Sequence, residues 1–553
     1  MNPLNVWNRL RGLLPDRSDY AQLRTTWRGD LVGGITVGIV ALPLALGFGI
    51  SSGLTASEGL ITAIVAGFLA AVLGGSNVQV SGPTGAMVVV LLPIVASHGP
   101  AAVAVVSIMA GIIVVLAGLL RMGRAVGVIP WPVIEGFTLG IGVIIFLQQI
   151  PSIMSPGGVG EGEHSTNALI AAIQSIADAD WTYTAWAAGA AVLVIAVMLL
   201  VDRLHPAVPG SLLGIIIATV LCLVLTNPLA VIGTLPTGLP TPSLPQFAIA
   251  DLSSLMGPAL AVAALAAIES LLSARVAASM AETGPYNADR ELVGQGIASV
   301  GSGLFGGMPA TGAIARTAVN VRSGGRSRLA SAIHAVVLLG VVLFAAGPVG
   351  MIPLAALAGV LMLTAWRMIN WITAASIMRS TRADAASFIL TAIVTVAFDL
   401  VVAVLIGVVI AGFFAIRNLS RQTRVSRQPL PGEPQPGDER VAIIRVDGPL
   451  IFAGAERVFD EVMEFEGVVV VILRMSSVEV IDATGAHALS DIVQTLERRG
   501  VTVLIKGVQP RHEELFRTVG VLRSLRHANH LFEDLDEAIA HARNHVERAG
   551  LRN

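Results

Sequence analysis

Two short stretches and two charged residues hold the chemistry this sequence can do. Residues 78–90 read V-Q-V-S-G-P-T-G-A-M-V-V-V and residues 305–317 read F-G-G-M-P-A-T-G-A-I-A-R-T. Each places Gly and Pro ahead of Thr-Gly-Ala, once as Pro83-Thr84-Gly85-Ala86 and once as Pro309-Ala310-Thr311-Gly312-Ala313. Both lie in long apolar territory, where Gly and Pro break a helix and free backbone polar groups; lipid tolerates this only where the backbone faces protein or a watery cavity. Matching breaks in the two halves of a chain point to a transporter's substrate site. A half-helix starting at mid-membrane offers unpaired N–H donors and a positive dipole end, which suits an anion. Here those donors are the backbones of Gly85, Ala86, Ala313 and Ile314, with Gly312 in the same substrate site and Thr84 and Thr311 adding hydroxyls or capping their half-helices. The plainer alternative is the general enrichment of Gly and Pro in membrane helices.

Glu269 stands in the otherwise apolar run Ala259 to Leu272. A carboxylate there costs about 2.5 kcal/mol or more and is a functional candidate by default. Scarce water favours the neutral acid, so Glu269 is a candidate proton carrier; otherwise it is a structural partner for Arg275 or Arg316. Arg316, just past the second broken stretch, is the only basic residue from Gly294 to Val321. A guanidinium beside half-helix ends adds charge and forked donors for an oxyanion, unless it snorkels to the inner surface.

Other chemistries find little support. No Walker A pattern or nucleophile elbow is present, which argues against ATP-driven transport and against an enzyme. His98, His164, His205 and His334 are scattered without metal-ligand spacing and read as surface or loop residues, so neither metal nor cofactor is expected. The single Cys222 cannot form an internal disulfide. A net charge of −2 gives no reason to expect nucleic acid as a partner.

The elements that must position these residues are membrane helices. The chain of 553 residues is 54% hydrophobic and 13% charged, with mean hydropathy +0.77, against about 25% charged in soluble domains. Residues 1–29 are basic and lack a signal-peptide pattern, which predicts a cytoplasmic leader. Apolar runs of spanning length predict about seven segments over residues 30–226 and about seven more over 251–416, with Asn167 to Ile176 and Trp366 to Met378 lying at the surface or interface. Arg121, Arg124, Arg203, Arg322, Arg326, Arg328, Arg367, Arg379 and Arg382 fall in predicted inner loops. The predicted outer loops around residues 159–180 and 226–250 hold no Lys or Arg. The positive-inside rule then places both termini in the cytoplasm of a multi-pass protein of the cell (plasma or inner) membrane. Residues 30–420 form the transport domain and the polar, Pro-rich stretch 421–439 a linker. Residues 440–553 form a soluble α/β domain of alternating strands and helices, with strands at 441–446, 468–473 and 501–505 and helices at 456–465, 483–499, 512–518 and 535–548.

Several stretches resemble the SulP (sulfate permease) family of anion transporters. They are Ala41-Leu-Pro-Leu-Ala-Leu-Gly-Phe-Gly-Ile-Ser-Ser-Gly53, Ser81-Gly-Pro-Thr-Gly-Ala86, Glu135-Gly-Phe137 and Asp289-Arg-Glu-Leu-Val-Gly-Gln-Gly-Ile297. The tail resembles a STAS domain through Gly448-Pro-Leu-Ile-Phe-Ala453 and Ile481-Asp-Ala-Thr-Gly485. The resemblance covers nearly the whole chain and is nearest to the prokaryotic branch that includes bicarbonate transporters. It implies a polytopic α-helical membrane protein of about 14 segments, in two inverted repeats of about seven with a uracil-permease-like core and gate. It also implies a homodimer in lipid, and a cytoplasmic STAS domain open to a regulator. It makes Glu269 the coupling carboxylate and Arg316 the basic residue of the anion site. It makes Thr484 a phosphorylation acceptor, against the plainer reading of a helix start capped by Asp482. Phe48 stands where many members have Tyr, Leu44 where many have Gln, and Glu135 where a small hydroxyl is commoner. Ile314 stands where sodium-coupled relatives have Thr, and it has no oxygen to offer sodium.

The expected function is secondary active transport of bicarbonate, sulfate or a C4-dicarboxylate, proton-coupled through Glu269. The alternatives are sodium-coupled bicarbonate symport, or an anion channel or sensor signalling through the STAS domain. A nucleobase permease shares the architecture but ordinarily lacks a STAS tail.

Overall fold

The computed structural model describes residues 13, 15–20, 23–123, 130–156, 167–205, 208–245, 252–280, 286–397, 406, 409, 412–413, 424–451 and 467–550. Outside them lie Arg9, Arg11, Arg124, His164, nearly all of the expected span at 400–414, and the expected helix at 456–465. The chain divides into two units, Met1–Val408 and Val409–Asn553.

In the first unit, the first half supplies α1 (Leu23–Ser51), α2 (Ala56–Leu73), strand β1 (Ser81–Gly82), α3 (Gly85–His98), α4 (Ala101–Leu119), α5 (Trp131–Met154), α6 (Ala168–Ala177), α7 (Trp181–Leu204) and α8 (Gly210–Val224). The second half supplies α9 (Leu252–Met280), α10 (Ala288–Leu304), strand β2 (Thr311–Gly312), α11 (Ile314–Arg322), α12 (Arg328–Gly350), α13 (Leu354–Met368), α14 (Trp371–Met378) and α15 (Arg382–Ala397). Both halves run helix, helix, short strand, short helix, helix. Among the described residues, eight helical stretches are long and apolar enough to cross a membrane, the eighth, Leu354–Met378, taking α13 and α14 together.

Local sequence explains the boundaries. Thr55 and Glu58 close a capping box at the start of α2. Asn167 caps α6, as the amphipathic reading of that stretch requires, and α6 leaves Leu169, Ile170, Ile173 and Ile176 exposed. Asp180 caps α7. The interfacial stretch expected at 366–378 is divided: Trp366 to Met368 form the last residues of α13, and a separate α14 starts at Trp371, capped by Asn370. His334, expected at a surface or in a loop, is wholly buried in α12. Arg328, expected in an inner loop, is also buried, and donates to the Gly74 carbonyl at 2.5 Å.

The helices pack as two groups. One gathers α1 to α4 with α9 to α12; the other gathers α5, α7, α8, α13 and α15. Glycine lets the helices of the first group approach closely. A Cβ on Gly111 would meet the Gly296 carbonyl oxygen at 2.6 Å, and one on Gly296 would meet the Gly111 oxygen at 2.5 Å. Backbone contact of this kind is how membrane helices gain van der Waals packing without a hydrophobic driving force.

The second unit is a five-stranded sheet in the order β3-β4-β5-β6-β7: β3 (Arg424–Gln428), β4 (Val441–Asp447), β5 (Val470–Arg474), β6 (Thr502–Lys506) and β7 (Leu531–Phe532). Its helices are α16 (Ala483–Arg498), α17 (Pro510–Val519), α18 (Val521–Ser524) and α19 (Leu535–Gly550). β4 to β7 are parallel. The stretch expected as linker supplies β3, an antiparallel edge strand on β4. Farther along that stretch, Asp438 is forked to Arg543 of α19 by two bonds of 2.9 Å. That guanidinium is the first cause holding the Asp438 carboxyl below its ordinary range.

Candidate functional site

The two broken stretches pair directly. β1 and β2 are antiparallel, with Ser81 opposite Gly312 and Gly82 opposite Thr311. Two residues per strand suffice because each stretch lies between the end of one helix and the start of the next and needs partners there for backbone groups without a helical one. Close approach demands glycine. A Cβ on Gly312 would lie 2.6 Å from Cδ of Gln79, and one on Gly82, at φ +157°, would lie 2.7 Å from Nη1 of Arg316.

At this crossing, Oε2 of Glu269 from α9 lies 2.9 Å from Oγ1 of Thr84 and 2.8 Å from Oγ1 of Thr311. The two hydroxyl oxygens are 3.1 Å apart. Thr84 occupies the N-cap position of α3 yet makes no side-chain cap bond, so its hydroxyl serves the carboxyl group rather than the helix. Arg275 is exposed, and it is not the partner of Glu269.

Arg316 does not snorkel. It is 2% exposed, its Nη2 donates to the Pro83 carbonyl, and its buried Nη1 has no hydrogen-bond partner. A buried guanidinium N–H without an acceptor is costly, and an oxyanion is the kind of acceptor that it suits. Gly85 and Ala86 form the buried first turn of α3, where backbone N–H groups have no partner within the helix. One expected donor is already committed, the Ala313 N–H to the Val80 carbonyl at 2.9 Å, and the neighbouring Gly312 N–H donates to Oγ of Ser270 at 3.1 Å. Ile314 opens α11 with its side chain 41% exposed.

Several supporting residues carry no signal on their own. Oγ of Ser81 donates to Oε1 of Gln295 at 2.9 Å. Glu291 accepts from the Gly75 and Ser76 N–H groups and from Nε2 of Gln79, at 2.7, 3.1 and 2.9 Å. Glu291 and Gln295 both stand in the stretch 289–297 that resembles the family, which was their one sequence-level mark. Phe48 is buried in α1 within reach of the start of α3: a Cβ on Gly85 would sit 3.4 Å from its ring. Leu44 is buried, and Glu135 accepts from the Trp131 indole at 3.2 Å. In the second unit, Oδ1 of Asp482 accepts from the Gly485 N–H at 2.7 Å and caps α16, leaving Thr484 exposed in its first turn.

Residues 27–393 match the sulfate permease family and residues 435–538 the STAS domain. The chain belongs to the sulfate permease family. This member is 35% identical over 518 residues to YvdB of Bacillus subtilis, provisionally named a sulfate transporter, a match covering 92% of this chain and 96% of the relative. It is 31% identical over 538 residues to the bicarbonate transporter BicA of Synechocystis, covering 93% and 94%. Its fold is that of the murine anion transporter Slc26a9 in the inward-facing state, with TM-score 0.83 at 19% identity, covering 97% of this chain and 94% of that one. This sulfate permease-family chain is therefore a membrane-embedded, multi-span transport protein with a C-terminal STAS domain.

Proposed function

We propose that this chain is a secondary active transporter of a small oxyanion, bound at the crossing of β1 and β2 and coupled to a proton on Glu269. The observation that carries the reading is the buried Nη1 of Arg316, unpartnered beside Gly82 and the start of α3. Guanidinium, helix start and threonine hydroxyls together suit bicarbonate, sulfate or a C4-dicarboxylate. Thr84, Gly85, Ala86, Thr311, Gly312, Ala313, Ile314 and Arg316 form the substrate site, Gly312 and Ala313 by shaping it. The protein works as a homodimer with both termini cytoplasmic, and its STAS domain, where Thr484 is exposed, receives a regulator.

The oxygen triangle supports the proton. Three contacts join Oε2 of Glu269 and the two threonine hydroxyls. With Glu269 ionised, two hydroxyl protons fill two contacts. A third proton on Oε2 fills the last and closes a ring of donors, so protonation costs no hydrogen bond. The same proton removes a negative charge from a site about to receive an anion, which makes the two affinities rise together. Oxygens sharing a hard cation at about 2.3–2.6 Å stand farther apart, near 3.4 Å in an octahedral shell, and Ile314 adds none. Sodium is therefore the weaker reading.

The test is uptake of labelled bicarbonate, sulfate and fumarate into proteoliposomes, with proton and sodium gradients imposed separately. Saturable uptake of one anion, accelerated by an inward proton gradient, is expected. Rapid uptake of all three, without saturation or gradient dependence, would identify a channel.

A further inference from the structure

Four of the six histidines of the STAS unit lie together and have no part in transport: His527, His530, His541 and His545. His541 and His545 sit one turn apart on α19, with their Nε2 atoms 3.3 Å apart. His530 ends a short turn at Ala528–His530, just before β7. Its ring lies 5.5 Å from that of His541 and 5.4 Å from that of His545, centroid to centroid, and that of His527 lies 5.3 Å away. One ring nitrogen from each of His530, His541 and His545 lies within 4.8 Å of the other two.

We propose that His530, His541 and His545 form a binding site for a borderline divalent metal ion of the zinc class. His530 points to a ligand most directly: it is 1% exposed and its buried Nδ1 has no hydrogen-bond partner. Its ring also donates to the Val503 backbone carbonyl, the contact that fixes tautomer and ring orientation in metal-bound histidines. Tetrahedral zinc with Zn–N near 2.0–2.1 Å sets its ligands about 3.4 Å apart, so small side-chain rotations close the present spacing.

An all-imidazole set excludes calcium and magnesium, which take oxygen, and suits zinc, copper, nickel or cobalt. The remaining position falls to water or to His527. Arg526 and Arg548 lie close enough to His545 to act on it and weaken a cation's hold. Bound metal would join the turn before edge strand β7 to α19, the helix that covers β4, β5 and β6. No metal spacing was evident from the four histidines of the membrane half. The signal was His541-x-x-x-His545 on an amphipathic helix, the i, i+4 placement that sets two rings on one face.

The test uses full-length, untagged protein in detergent, stripped with a chelator and titrated with Co2+ and Zn2+. The expected result is about one equivalent per chain, a visible Co2+ spectrum of tetrahedral intensity displaced by Zn2+, and slower hydrogen exchange in residues 535–550 on binding. His541→Gln with His545→Gln, both partly exposed and so tolerant of change, should weaken binding by about 30-fold or more by loss of two ligands. His487→Gln, at an exposed α16 position, should leave binding unchanged. Sub-stoichiometric binding at 100 µM metal, or equal binding by the folded double variant, would overturn the assignment.

Discussion

Removing the Arg316 guanidinium tests the anion site while leaving the Glu269 side chain itself unchanged. Arg316→Gln deletes the buried charge and the unpartnered Nη1 while keeping a side chain able to donate near the Pro83 carbonyl. A hydrogen bond to a charged group contributes about 1.5–3 kcal/mol, and each 1.4 kcal/mol is about tenfold in affinity. The variant should therefore bind its anion roughly 10- to 100-fold more weakly if one such bond is lost. A poorly placed glutamine would leave Pro83 unsatisfied and cost about 1–3 kcal/mol of stability, so binding and folding must be read separately. Isothermal titration on purified protein gives the affinity, and a thermal melt without anion gives the stability. Arg316→Lys, which keeps the charge but not the fork, should fall between. An Arg316→Gln protein that folds normally and binds within about twofold of wild type, under 0.5 kcal/mol, would refute the assignment.

Two further substitutions test the supports. Gly312→Ala sets a Cβ against the side chain of Gln79, whose Nε2 holds Glu291; overpacking should cost about 1–3 kcal/mol and lower the melting temperature, and an unchanged melt would show that the crossing has room. Asp438→Asn removes the fork to Arg543. Because the folded-state carboxyl is held below its ordinary 3.8, its stabilisation is present above that value and is lost as pH falls through the folded one. Hydrogen exchange in residues 535–550 should thus be faster in the variant at pH 7 and equal to wild type once the wild-type Asp438 carboxyl is protonated; a difference that persists there would implicate something other than the charge.

The sequence made the site legible through what does not fit a membrane helix. Pro83, Pro309 and the paired Thr-Gly-Ala stretches disrupt apolar runs, while Glu269 and Arg316 are too costly there without a task. Those signals are local, and the structure brings their residues together at one crossing. What was hidden depends on partners far along the chain. The Ala313 N–H looked free until Val80 appeared opposite it. Glu291 looked like one acid in a helix until residues 75, 76 and 79 were seen to donate to it. His334 is polar, and composition alone assigned it to a surface that packing denies it. In the second unit, alternating apolar runs gave the strands β4, β5 and β6, whereas β3 is too polar to announce itself: three of its five residues are exposed.

If Glu269 carries the coupling proton, a proton gradient must drive uptake through it. Wild type and Glu269→Gln, which mimics the protonated acid, are compared in proteoliposomes with pH 6 outside and pH 7.5 inside, and again as anion exchange without a gradient. Wild type should concentrate its anion about tenfold per pH unit at one proton per anion, with little change when sodium is removed. Glu269→Gln should keep anion binding and exchange while losing the response to the gradient. A Glu269→Gln protein that still responds fully to the proton gradient, or a wild type whose uptake collapses without sodium, would contradict the account.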